Sequence, residues 1–323
     1  MPRLLPRVRA QLALLTRRRR RLSNDLLEGD YASVFHGRSP DFDDLRPYLP
    51  GDEVRDIDWR ASARHPEPLV RRRTAQRRMR LAIVAGNGAE LSALGPAGTQ
   101  KRDTAVLAAG MLAVVAARHG DDVLLVSGSG GRSRVSRPGR ADGHLESLLQ
   151  TLHSPAAEPG GPAAPLRTLA AMRVPRMLVL VIADDGPLPE EARRLLPGLR
   201  HRHEMLWLDL ADADLTEALP GDGRAAPLVD VLAGEGLQTP ALPGRLAHEY
   251  RAAEAARLAG RARLLRRHGI PQARVNHAVD VPAALHRLLR GLPAPATAAA
   301  PASGATSPHA PGTPRTGSAG RRT

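Results

Sequence analysis

The sequence predicts a doubly wound α/β fold with a mostly parallel sheet. Three observations support this. Short, uninterrupted apolar runs alternate with helical stretches across residues 80–291. A strand that is apolar on both faces belongs inside a parallel sheet covered by helices. The chain has 323 residues with 42% hydrophobic content, enough for an ordinary buried core, and it contains no cysteine. Disulfides, thiolate nucleophiles and cysteine-ligated metal centres are thereby excluded. The core must be aliphatic, because only Tyr31, Phe35, Phe42, Tyr48, Trp59, Trp207 and Tyr250 are aromatic, and the first five cluster near the N terminus.

Residues 1–21 read as a basic helix or tail. The apolar run Leu12–Leu15 is shorter than the roughly 7–15 residues of a signal-peptide core. Such a helix is expected either to be solvated or to touch an acidic partner or a lipid surface as a peripheral membrane contact. Residues 22–79 form a separate signature segment. In residues 80–291, strands are predicted at Arg80–Gly86 and Asp122–Gly128, with the helix Thr104–Gly120 between them. An edge hairpin turns at Gly128–Gly131, and the continuous apolar run Arg176–Asp185 is a strand ending in two carboxylates. Glu190–Arg202 follows as helix, Glu204–Asp212 as strand and Leu246–Gly269 as a helix stopped by His268-Gly269. A strand at Ala273–Val279 and a helix at Val281–Gly291 complete the unit. Residues 292–323 are Pro, Ala, Ser, Thr and Gly without a large apolar side chain, a composition expected to be disordered.

The net charge of +14 is concentrated at the two ends, while the middle is mildly acidic. Lys101 is the only lysine, and the arginine everywhere else reads as the codon bias of a GC-rich genome. No run approaches the ~20 apolar residues of a spanning helix. The chain is expected in the cytoplasm.

The densest chemistry lies between Asp41 and Arg64. Leu49-Pro50-Gly51-Asp52 is a turn, and the alternation after it predicts a strand that buries Ile57 and Trp59. Asp56, Asp58 and Arg60 would then form a charged row, with Arg55, Arg60 and Arg64 pairing the two aspartates. These acids, flanked by arginines, are not placed for general acid–base work. The stretch resembles domain-of-unknown-function family 58, the bacterial proteins associated with MoxR-type AAA+ ATPases. The resemblance rests on Gly37, Phe42, Arg46, Tyr48, Pro50-Gly51-Asp52, Arg55, Ile57-Asp58-Trp59, Ala63-Arg64 and Leu69-Val70. It implies a von Willebrand factor A-like domain and a non-enzymatic adaptor acting with such an ATPase in protein assembly or maturation.

The same resemblance implies a place for a divalent cation, held through Asp-x-Ser-x-Ser after the first strand, a later Thr and an Asp after the central strand. Here those first positions fall on Ala85, Asn87 and Ala89, and Pro162 stands where the Thr would be. Asp184, with Asn87, is all that is left, so a degenerate site without magnesium is expected. A shifted register would enlist Glu90 or Asp185. No other cofactor is implied. His201, His203 and Glu204 lack a third ligand at metal-binding spacing and read as a polar helix–strand connection. Ser127–Gly131 lacks the lysine and following helix of a phosphate loop. Two other readings stand beside the adaptor: an anionic-surface or nucleic-acid binder acting through the basic ends, and a cation-dependent domain centred on Asp184.

Overall fold

The computed structural model describes residues 3–18, 24–35, 44–72, 80–213, 228–231, 236–237 and 244–291. It opens with α1 (Leu4–Arg18), α2 (Asn24–Phe35), β1 (Asp44–Pro47), the one-turn α3 (Trp59–Ser62) and β2 (Leu69–Arg72). Then come β3 (Arg80–Gly86), α4 (Lys101–Arg118), β4 (Asp122–Ser129), β5 (Arg132–Val135), α5 (Asp142–His153) and α6 (Ala163–Ala171). They are followed by β6 (Leu178–Asp184), α7 (Glu190–Arg202), β7 (Glu204–Leu210) and the two-residue pair β8 (Leu228–Val229) and β9 (Gly236–Leu237). The last elements are α8 (Gly244–Arg267), β10 (Gln272–Val275) and α9 (Val281–Leu289).

Six strands form one sheet in the order β10-β7-β6-β3-β4-β5, parallel throughout except for the antiparallel edge strand β5. The chain begins in the middle at β3, moves outward through β4 to β5, and then crosses back to β6. The predicted hairpin links β4 to β5, with Gly130 and Gly131 both in the left-handed region at φ 56° and 73°. Apolar side chains on successive residues serve opposite layers because the strand pleat alternates. Leu81, Ile83 and Ala85 join a cluster with α1, α2, α4, α5 and α9, whereas Ala82 and Val84 join a second with α6 and α7. From Thr104 to Ala116 every residue of α4 is buried, because α1, α5 and α9 cover the side turned away from the sheet.

The N-terminal helix departs from both readings of residues 1–21. Leu4, Leu5, Val8 and Leu12 are spaced on one helical face, and all four are buried in the main core. A Cβ on Gly110 would lie 2.8 Å from Val8 Cγ2, so the glycine permits this approach of α1 to α4. The first turn of α1 is held by Glu146 of α5, whose carboxylate oxygens accept from Leu4 N at 2.8 Å and Leu5 N at 2.7 Å. Arg9 adds a bidentate pair to Asp142 at 2.7 and 2.6 Å. The apolar face that would meet a lipid surface is therefore already occupied by the protein's own core. Helix α2 joins the same core through Leu27 and the buried Tyr31, whose hydroxyl donates to Asp121 at 2.9 Å. The boundary expected at residue 80 thus does not separate α1 and α2 from the α/β unit.

The strand expected at Ala273–Val279 ends at Val275, and Ala278–Asp280 forms a 3-10 turn leading into α9. The tail expected over residues 292–323 lies outside the described residues. Leu5→Ala should lower the unfolding free energy by about 2–5 kcal/mol, the usual range for a buried leucine. A urea titration reads this as a lower midpoint at unchanged slope; an unchanged midpoint would contradict the docking of α1.

Candidate functional site

Open α/β sheets bind ligands outside the carboxyl ends of their strands, where the strand order reverses. That place lies between β3 and β6. After Gly86 the chain turns directly beneath the 158–161 loop. A Cβ on Gly86 would sit 2.2 Å from the Gly160 carbonyl oxygen, and one on Gly88 2.2 Å from Gly160 N. Glycine alone allows this backbone contact. Ala89 N donates to Glu158 O at 3.0 Å, and both Glu90 oxygens accept from Gly160 N at 2.9 and 2.8 Å. Helix α4 then begins with Lys101, whose side chain is 2% exposed and whose ammonium meets the Asp212 carboxylate. The end of β6 contributes Asp184 and the fully buried Asp185.

Burial lifts the Asp184 carboxyl above its ordinary range, opposed by the charges of Lys101 and Arg261. Burial would also lift Asp185, but its hydrogen bond with Asp212 and the guanidinium of Arg274 hold it low. Arg274 donates to Asp185 Oδ2 through Nε at 2.9 Å and Nη2 at 2.6 Å. Asp212 is pushed up to about 7 by burial and by Asp185, opposed by the charge of Lys101. One strand further, the fully buried Asp209 accepts from Trp207 Nε1 at 2.8 Å and from Arg261 and Gln272. Arg261 of α8 also donates to the Asp184 carbonyl at 2.8 Å and so ties that helix to the sheet edge.

Of the positions that the resemblance assigns to a divalent cation, only Asn87 and Asp184 carry a side-chain oxygen. Ala85 and Ala89 are buried and offer no side-chain oxygen, and Pro162 caps α6 without a hydroxyl. Asn87 Nδ2 donates to Thr151 O at 2.9 Å, and Asn87 lines a cleft of about 380 Å³ with Ser127, Ser129, Arg132, Arg134 and Glu158. Glu90 is taken by Gly160, and Asp185 by Arg274. Among the described residues no three His, Asp or Glu side chains converge as a metal-binding group. His203 also departs from the expected polar connection: it is fully buried, burial and the nearby Arg202 and Arg176 push it down to about 4, and neither ring nitrogen is hydrogen-bonded.

The signature segment is a hairpin of β1 and β2, with Arg46 opposite Val70 and Pro47 opposite Leu69. Tyr48 N donates to Pro68 O at 2.8 Å, and Gly51 turns at φ 110°. Asp52 closes that turn by accepting from Leu49 N at 3.0 Å. The strand predicted through residues 56–60 is not formed. Val54–Asp56 is a 3-10 turn, and Asp58 caps α3 by accepting from Arg60 N and Ala61 N, each at 3.0 Å. A cap followed by Trp-Arg-Ala-Ser favours a helical turn over continued extension. Ser62 Oγ then donates to Asp58 O at 2.7 Å and accepts from Leu69 N at 2.8 Å. Arg55 pairs with Glu53 and not with the expected aspartates, and Arg60 and Arg64 are exposed. Trp59, expected as a buried anchor, is 65% exposed, with Val54 and Leu49 exposed nearby in the sequence. Phe42 lies outside the described residues.

Sequence reasoning missed Lys101, Asp212, Asp209 and Arg261 as members of the edge. The one available signal was that a chain using arginine everywhere else has a lysine at 101. Arg261→Met should cost about 3–5 kcal/mol by stranding the buried Asp209, whereas the exposed Arg245→Met should cost no more than about 1 kcal/mol. Urea unfolding of both variants checks this, and equal losses would contradict the assignment.

Uncharacterized protein Rv1480 of Mycobacterium tuberculosis is 30% identical to this chain over 212 residues, covering 64% of this chain and 66% of its own length. Among solved structures, the conserved hypothetical protein BatB from Bacteroides thetaiotaomicron overlaps 66% of this chain and 97% of its own, with 12% identity and a TM-score of 0.43. A von Willebrand factor type A structure from Catenulispora acidiphila overlaps 65% and 41%, with 9% identity and a TM-score of 0.33. The family described as protein of unknown function DUF58 matches residues 44–259, well over half of the sequence, and the chain belongs to that family.

Proposed function

We propose that the chain is a non-enzymatic protein-interaction module whose hairpin segment, residues 44–72, docks a partner protein. The observation that carries this reading is Trp59, a large aromatic side chain 65% exposed on a turn that Asp58 caps. Tryptophan and arginine are the residues most enriched at binding hot spots, and Trp59 stands beside Arg60 in the sequence and near Arg55 and Arg64. Exposed Val54 and Leu49 enlarge the apolar part of the surface. The partner best suited to the resemblance carried by this segment is a MoxR-type AAA+ ATPase in the cytoplasm, with assembly or maturation of other proteins as the process served. No helix among the described residues is long and apolar enough to cross a membrane.

The reading as an anionic-surface or nucleic-acid binder is weakened by the docking of α1, since Arg9 is engaged by Asp142. The cation-dependent reading has only Asn87 and Asp184 to offer side-chain oxygens at the positions the resemblance assigns. In a pull-down of the full chain with a MoxR-type AAA+ ATPase, Trp59→Ala should weaken binding roughly 10- to 30-fold. Its melting temperature should stay at the wild-type value, because the side chain packs little of the fold. Equal binding by wild type and variant, or no binding by wild type, would overturn the reading.

A further inference from the structure

We propose that Lys101 supplies, as a tethered side-chain ammonium, the positive charge that a divalent cation would bring to the carboxyl edge of the sheet, and so makes that edge independent of metal. The fold places carboxylates at the ends of its central strands, and some cation must accompany them once they are withdrawn from water. Lys101 sits at that place: it meets Asp212, and its charge acts on Asp184 and Asp185.

Local preference does not explain this lysine. The first turn of a helix disfavours positive charge, because the helix dipole presents its own positive end there. Lys101 is nonetheless the first residue of α4, and its side chain is 2% exposed. A residue placed against its local preference and buried with its charge is explained only by the carboxylates around it. The identity of the residue points the same way. Every other basic residue in the chain is arginine, including Arg261 and Arg274, which face the same edge and make forked or paired contacts. A compact ammonium concentrates its charge at one point and donates in several directions, as an ion does, whereas a guanidinium requires a planar receptor.

Several oxygens near the edge are already engaged, and among the described residues no three His, Asp or Glu side chains converge as a metal-binding group. Glu90 accepts from Gly160, Asp185 from Arg274, and Asp209 from Arg261. The contact of the 158–161 loop with Gly86 and Gly88 covers the end of β3. The ammonium is therefore internal: it neutralises the edge but does not present a charge to an incoming ligand. Partner contacts must then be made elsewhere on the molecule.

Thermal unfolding of the full chain tests this. The wild-type midpoint should be the same in manganese chloride and in EDTA. Lys101→Met, which keeps the chain length and removes the charge, should melt roughly 5–10 °C lower. Lys101→Met/Asp212→Asn should recover much of that loss, because the neutral asparagine leaves no carboxylate opposite the missing ammonium. A wild-type midpoint raised by manganese, an unchanged Lys101→Met midpoint, or additive losses in the double variant would overturn the proposal. Should Lys101→Met not fold, recovery of folding in the double variant supports the proposal, and failure of the double variant to fold overturns it.

Discussion

A carboxylate taken out of water must be accompanied by a proton, a cation or several hydrogen-bond donors. That constraint organises the carboxyl edge of this sheet. Asp184, Asp185, Asp209 and Asp212 come from the ends of two adjacent strands or the residues after them. Most have a particular remedy: Arg274 grips Asp185, Arg261 and Gln272 serve Asp209, and Lys101 meets Asp212. Lys101 completes the set from the first position of α4. These pairs bind helix to strand: Arg261 fastens α8 to the ends of β6 and β7, and Arg274 fastens β10 to the residue following β6.

The layers behind the edge follow from apolar patterning. Alternate residues of β3 enter different clusters, so both faces needed cover, and helices provide it. This much was legible in the sequence, because an uninterrupted apolar strand has few other solutions. The turn at Gly130-Gly131 was legible for the same kind of reason, since paired glycines readily adopt the left-handed backbone of a two-residue hairpin. The fate of α1 was not. Its spacing announced an apolar face, but a face does not name its cover, and arginines on the opposite side fit a lipid surface as well as they fit docking on α4 and α5. Glu146, which receives the helix start, is distant in sequence and gives no local signal.

The hairpin segment was misread for a different reason. Ile57 and Trp59 alternate with charges in a way that suits a strand, and over so few residues the alternation also suits a turn of helix. Asp58 decided between them by capping, a role that a view of it as an ion-pair partner obscured. The consequence reaches function, since the same tryptophan is a core anchor on a strand and a surface feature on the helical turn. At the sheet edge, the cluster assembles from residues more than a hundred positions apart, and composition marked only Lys101.

Because the chain has a single lysine, selective nitrogen-15 lysine labelling yields one ammonium resonance, and nuclear magnetic resonance can follow that atom alone. The account predicts a signal protected from rapid solvent exchange at neutral pH and unmoved by added magnesium. An ammonium exchanging as fast as an exposed lysine, or one displaced when magnesium is added, would contradict the claim that Lys101 is the resident cation of the edge.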